Sequence, residues 1–149
     1  MAFGHLSHGK SPLEVPIVTG ERSTIVEFSC NEAVTAGDWV DLDHAAAAGG
    51  EDRATGVIQG NATSECIGVA LETVTAAQVT AGGAIVRVCV AGYCENAKSA
   101  NGIAAGVAFT AAAAGSVQAN LAATITPPLG VALELSAGLT VDCYIFRKY

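Results

Sequence analysis

Ile67-Gly68-Val69-Ala70-Leu71-Glu72 recurs 62 residues later as Leu129-Gly130-Val131-Ala132-Leu133-Glu134. Each copy is followed by a glycine-containing break and a second apolar run. The first break, Thr73 to Gly83, has eleven residues and the second, Leu135 to Gly138, has four, so the first loop carries a seven-residue insertion. Insertions of this kind sit on surfaces. A weaker echo precedes each copy: Ala33-Val34-Thr35-Ala36-Gly37-Asp38-Trp39-Val40 and, 69 residues on, Gly102-Ile103-Ala104-Ala105-Gly106-Val107-Ala108-Phe109. An alanine-glycine turn, a strand, a linker, a Gly-Val-Ala-Leu-Glu strand and a hairpin partner thus occur twice in the same order. This predicts two similar strand sets closing one small barrel or sandwich.

Outward from the repeat, the chain is a series of short β-branched runs separated by Gly, Asn and Ala: Thr24 to Phe28, Trp39 to Leu42, Gly56 to Gln59, Ile67 to Glu72, Ala84 to Ala91, Val107 to Thr110, Leu129 to Glu134 and Leu139 to Phe146. That spacing predicts an all-β fold, either a small β-barrel or a β-sandwich. The alanine clusters at 45–48, 111–114 and 119–123 are too short, and too close to Gly or Pro, to be helices despite the propensity of alanine. One helical turn is expected over Val74 to Thr80, capped by Gly82 and Gly83. Residues 1–20, with Gly4, Gly9, Pro12, Pro16 and Gly20, show no periodicity and predict an extended N-terminal arm. Residues 21–149 then form a single domain containing the repeat at 67–91 and 129–146.

Alternation along a strand assigns faces. Val69 and Leu71 are expected inward with Val86, Val88 and Val90, leaving Ala70, Glu72, Arg87 and Cys89 outward. In the second copy Val131, Leu133, Val141, Cys143 and Ile145 are expected inward, with Glu134, Asp142, Tyr144 and Phe146 outward. Tyr144 and Phe146 on an outer face call for a partner.

Half of the 149 residues are apolar, but 29 of them are Ala and 16 Val, with only 8 aromatics. Such a core builds thin β-layers. Fourteen acids against seven bases give a net charge of −7, which opposes binding to nucleic acid or an anionic membrane surface. No run approaches the roughly 18 apolar residues of a membrane-spanning helix. MAFGHLSHGK lacks the basic start and apolar stretch of a secretory signal, so cytoplasmic synthesis is the expectation. Five scattered cysteines (Cys30, Cys66, Cys89, Cys94, Cys143) are not a compact, even disulfide framework and are expected to be buried thiols.

Chemistry-bearing patterns are sparse. Asp38, Asp41, Asp43, His44, Glu51 and Asp52 crowd into fifteen residues, but their spacing matches no calcium loop and reads as a solvated turn. Cys89 and Cys94 are too widely spaced for a zinc pair and have no matching second pair. His5, His8 and His44 fall in no nucleophile motif, and no glycine pattern cradles a phosphate. Glu72 and Glu134 match because the repeat places them so. No enzyme, cofactor or metal is implied.

The order Ala-Val-x-Ala-Gly-Asp-x-Val (33–40), Ile-Gly-Val-Ala-Leu (67–71), an Ala/Gly hairpin, Val-Ala-Gly (90–92), Ala-Ala-Gly-Val (104–107) and Leu-Gly-Val-Ala-Leu-Glu (129–134) resembles the small capsid decoration, or cement, proteins of tailed bacteriophages. The resemblance covers most of 30–146 and leaves out the arm, 44–50 and the long first hairpin. It implies a non-enzymatic virion protein made in the host bacterial cytoplasm. It further implies a homotrimer seated on the outside of the head, clamping neighbouring major capsid protein subunits. The expected contact residues are Phe3, His5 and Leu6 in the arm, the apolar Trp39, Tyr144 and Phe146, and Arg147 and Lys148 at the end of the last strand. The alternative from another class is a carbohydrate- or host-surface-binding β-module, for which Trp39 beside Asp38 and Asp41 is the one aromatic-acidic patch.

Overall fold

The computed structural model describes residues 23–45, 55–120, 127–136 and 138–146. The 1–20 arm lies outside them. Among the described residues the named elements are nine strands and one short helix, in the order β1 (Ser23–Cys30), β2 (Trp39–Leu42), β3 (Gly56–Gln59), β4 (Gly68–Ala70), α1 (Ala76–Ala81), β5 (Ile85–Lys98), β6 (Ala108–Ala111), β7 (Val117–Ala119), β8 (Gly130–Ala132) and β9 (Thr140–Ile145). The all-β expectation holds. Helix α1 occupies the seven-residue insertion, opened by a capping box in which Thr75 and Gln78 exchange hydrogen bonds of 2.8 and 3.3 Å.

The sheet order β1-β3-β2-β4-β5-β9-β8-β6-β7, with a further β1–β5 pairing, closes β1 to β5 into a ring of five strands. A second ring is drawn from the other half of β5: β9 pairs with Gly92 to Lys98, β8, β6 and β7 follow, and Val117 of β7 bridges back to Ser99. The long strand β5 therefore belongs to both rings. Two closed rings sharing a strand resolve the choice between barrel and sandwich.

The rings repeat each other in strand pairing and in many of their backbone hydrogen bonds. Gly37 N–H donates to Ala70 O and Gly106 N–H to Ala132 O, both at 2.8 Å; Asn31 N–H donates to Val57 O at 2.9 Å and Ala100 N–H to Val117 O at 2.8 Å. Trp39↔Val69 and Val40↔Gly68 in the first ring become Ala108↔Val131 and Phe109↔Gly130 in the second. The duplication thus reaches beyond the two sequence motifs to all five strands. Interiors match too: Val34, Val40, Val57, Ile67, Ala70, Val86 and Val88 fill one ring, and Ile103, Phe109, Val117, Leu129, Ala132, Val141 and Cys143 stand at the same places in the other. Where the first ring has Val74, the second has buried Ser136, whose Oγ accepts the Ile103 N–H at 2.8 Å.

The face expectations for Val69, Ala70, Cys89, Val131 and Leu133 need correction. Ala70, not Val69, shares the face of Val86 and Val88, because Ala70 sits opposite Val88 and Val69 opposite Cys89. Val69 and Cys89 turn to the other side of the sheet, which is also buried, so neither face of β4 is solvated. Leu133, expected inward, is 49% exposed. Alternation assigns two faces but cannot say which is wet when both are covered. Strand β7 and the second half of β5 also escaped the sequence reading, since Val117-Gln118-Ala119 is only three residues long and Gly92 looks like a terminator.

The rings meet at Asp38, which is 1% exposed. Its carboxylate accepts hydrogen bonds from Thr35 N–H, Gln59 Nε2 and Lys98 Nζ at 2.8, 2.8 and 2.9 Å. Lys98 also donates to Ala114 O at 2.8 Å, in the β6–β7 turn that packs on this corner. Lys98→Met removes the cation and keeps the stem, leaving a buried charge short of one partner. We expect a loss of about 2 kcal/mol, read as a lower urea midpoint at unchanged slope.

Candidate functional site

The acidic cluster serves the fold. Asp38 is committed as above. Asp41 accepts the Leu42 N–H at 2.8 Å and lies 3.7 Å from His44 Nε2, while Asp43 accepts from Asn31 Nδ2 and Ala45 N–H. Glu51 and Asp52 lie outside the described residues. Among the described residues no three His, Cys, Asp or Glu side chains converge in a way that could hold a metal ion.

All five cysteines are buried and none forms a disulfide. Cys94 faces Cys143 across the β5–β9 pair, and the Cys89 thiol lies within hydrogen-bonding reach of Cys94. Hydrogen bonding to the Cys143 thiol and burial push Cys94 up to about 12, against an opposing pull from Cys89; Cys89 is raised by its bond to Cys94 and by burial. A nucleophile must be a thiolate, and these stay protonated at neutral pH. They border an open cavity of about 390 Å³ between the rings, lined by Ser23, Ile25, Leu71, Cys89, Tyr93, Cys94 and Glu95. At pH 8 the folded chain should react with a chromogenic disulfide at least about 100-fold more slowly than the chain in denaturant. Equal rates would mean the thiols are accessible.

The expected contact residues divide into three groups. Phe3, His5, Leu6, Arg147 and Lys148 lie outside the described residues. Trp39 is fully buried, its ring 5.3 Å from Phe109 in an edge-to-face pair that joins the two rings. An exposed contact role for Trp39 is therefore corrected, and the aromatic-acidic patch with Asp38 and Asp41 is internal. Tyr144 and Phe146 do face outward, at 46% and 38% exposure.

What the sequence reading missed is the company these two keep. Val131 pairs with Tyr144 on one side and with Ala108 on the other, and Tyr93 stands opposite Tyr144. One row of apolar and aromatic side chains thus crosses β6, β8, β9 and β5 on the outside of the second ring, with Leu133 beside it. The Tyr93 hydroxyl, held 3.2 Å from both Glu95 and Asp142, is pushed up to about 12 by burial and by the Asp142 charge. The signal lies in Val131 and Leu133, which alternation places inward but which stand on the outer face.

No protein-family model matches the chain, and no curated protein does. Among solved structures, the N base of the head fiber protein gp8.5 of bacteriophage phi29 is similar, with a TM-score of 0.56 at 17% identity, over 84% of this chain and 95% of that one. At that identity the likeness is one of fold.

Proposed function

We propose that this chain is a non-enzymatic structural protein of a phage virion that attaches to the outside of the head as a homotrimer and braces neighbouring major capsid protein subunits. The observation that carries this reading is the fold likeness, which takes in nearly the whole base of a phage head fiber. It is a likeness to a protein whose name places it on a phage head, and it agrees with the motif order that resembles decoration proteins.

Physical properties support the same reading. A net charge of −7 keeps the chain away from packaged nucleic acid. The apolar outer row on the second ring suits a protein that works in contact with others. Three copies on one threefold position would multiply weak contacts into strong attachment through effective concentration. The carbohydrate-binding alternative loses its one platform with Trp39 inside the molecule.

The test is co-sedimentation of purified protein with expanded heads of the phage that encodes it. The expected result is saturable pelleting at a copy number divisible by three per capsid face. Protein left in the supernatant at micromolar concentration would overturn the proposal. Removing residues 2–18 should weaken pelleting at least about tenfold while leaving the circular dichroism of the β-fold intact, if these residues contribute contacts to the head. Undiminished pelleting would reject the arm's role.

A further inference from the structure

Three of the five cysteines gather on and beside β5, the strand that both rings share. Cys94 and Cys143 stand directly opposite each other across the antiparallel β5–β9 pair, and both belong to the same buried cluster, at 3% and 0% exposure. Residues so placed have Cα atoms about 4.5–5.5 Å apart, inside the range of roughly 4.4–6.8 Å that a disulfide spans. Cys89 is also near, but its thiol is directed at the carbonyl oxygens of Ala91 and Tyr93, each at 3.6 Å.

The cavity between the rings gives the opposed pair an entrance. Cys94 borders it and Cys143 does not. A reagent as small as hydrogen peroxide fits within about 390 Å³ and meets Cys94 first. Joining the two sulfurs would also change the connectivity of the chain. The stretch from Cys94 to Cys143 contains β6, β7 and β8 with the adjoining parts of β5 and β9, so a bond between its ends encloses the second ring in one covalent loop. Cross-links that close long loops restrict the unfolded chain most.

We propose that Cys94 and Cys143 form a disulfide when a peroxide reaches the cavity, and that this bond staples the second ring. The Cys94 sulfur attacks one peroxide oxygen and the O–O bond breaks, leaving a sulfenic acid and one water. The Cys143 sulfur then attacks the Cys94 sulfur. The S–S bond forms, and the sulfenic oxygen leaves with the Cys143 proton as the second water. Two thiols thus give two electrons and two protons to one peroxide, yielding one disulfide and two waters. A thiol held protonated at neutral pH, as Cys94 is, reacts slowly. On the virion reading above, a head leaving its host passes from a reducing to an oxidising medium, so the staple sets after assembly. The chemistry needs no capsid, and its failure on the purified chain leaves that reading standing.

The full-length chain is treated overnight at pH 8 with millimolar hydrogen peroxide, quenched with catalase, denatured, alkylated and mapped by peptide mass spectrometry. Cys143→Ala and Cys89→Ala are treated in parallel, and circular dichroism verifies their fold. Wild type and Cys89→Ala should yield peptides linked Cys94 to Cys143, with Cys30 and Cys66 alkylated. Their thermal midpoints should rise by at least about 5 °C over the reduced chain and fall back on reduction. Cys143→Ala should show no rise. A link between Cys89 and Cys94 instead, Cys94 oxidised beyond the sulfenic acid without a partner, five alkylated thiols, or a Cys94–Cys143 link with no rise in midpoint would overturn the proposal. The wild-type map and midpoint decide by themselves, whether or not either variant folds.

Discussion

Trp39→Ala is expected to lower the stability of the fold by about 4 kcal/mol, the range for emptying a buried aromatic site that cannot collapse. The site is the joint between the rings: Trp39 is fully buried, stacks edge-on against Phe109 at 5.3 Å, and is hydrogen-bonded through its backbone to Gly115 and Gly60, each at 2.8 Å. With total stabilities of about 5–15 kcal/mol for a domain, such a loss should leave a marginal protein. Trp39→Phe should recover most of it. The indole N–H is buried without a hydrogen-bond partner, so phenylalanine gives up area but also removes an unsatisfied donor. Urea unfolding of the three proteins measures both effects. An alanine variant within about 1 kcal/mol of wild type would mean that the joint is not packed as described.

Gly68→Ala and Gly130→Ala should be comparably damaging, at about 3 kcal/mol or more each. A methyl at Gly68 would stand 2.3 Å from the carbonyl oxygen of Cys89, and one at Gly130 would stand 2.3 Å from that of Tyr144. Backbone oxygens of a paired strand cannot rotate away. The strands would have to part, which breaks the β4–β5 or the β8–β9 pairing. Gly102→Ala, where the nearest atom is Ser136 Oγ at 4.0 Å, serves as the near-neutral control. If the two rings are equivalent, both damaging substitutions should lower the thermal midpoint by similar amounts. A harmless alanine at either position would contradict the proposed close approach.

These glycines explain why the fold was so legible. The repeated Gly-Val-Ala-Leu-Glu is the sequence trace of a backbone contact made twice, and the equal Gly37 and Gly106 turns, with φ of 93° and 77°, frame it. The 62- and 69-residue offsets and the seven-residue insertion follow the structure, down to helix α1 filling that insertion. What stayed hidden was set by three-dimensional neighbours. Trp39 looked like a surface aromatic because its strand has acids on either side, yet Asp38 and Asp41 are buried with their own partners. Face assignments failed at β4 because both sides of that strand are covered, and failed again at Val131 and Leu133 because the equivalent row on the second ring is not. The candidate site was therefore half visible: Tyr144 and Phe146 stood out, while the row they complete needed strand pairing to appear.

Electron cryomicroscopy of heads before and after the purified protein is added tests whether the protein sits as a trimer on the outside of a phage head. A threefold-symmetric knob is expected on the outer surface at the threefold and quasi-threefold positions, absent from bare heads. Heads that look the same with and without the protein, or density confined to the tail or the interior, would contradict it.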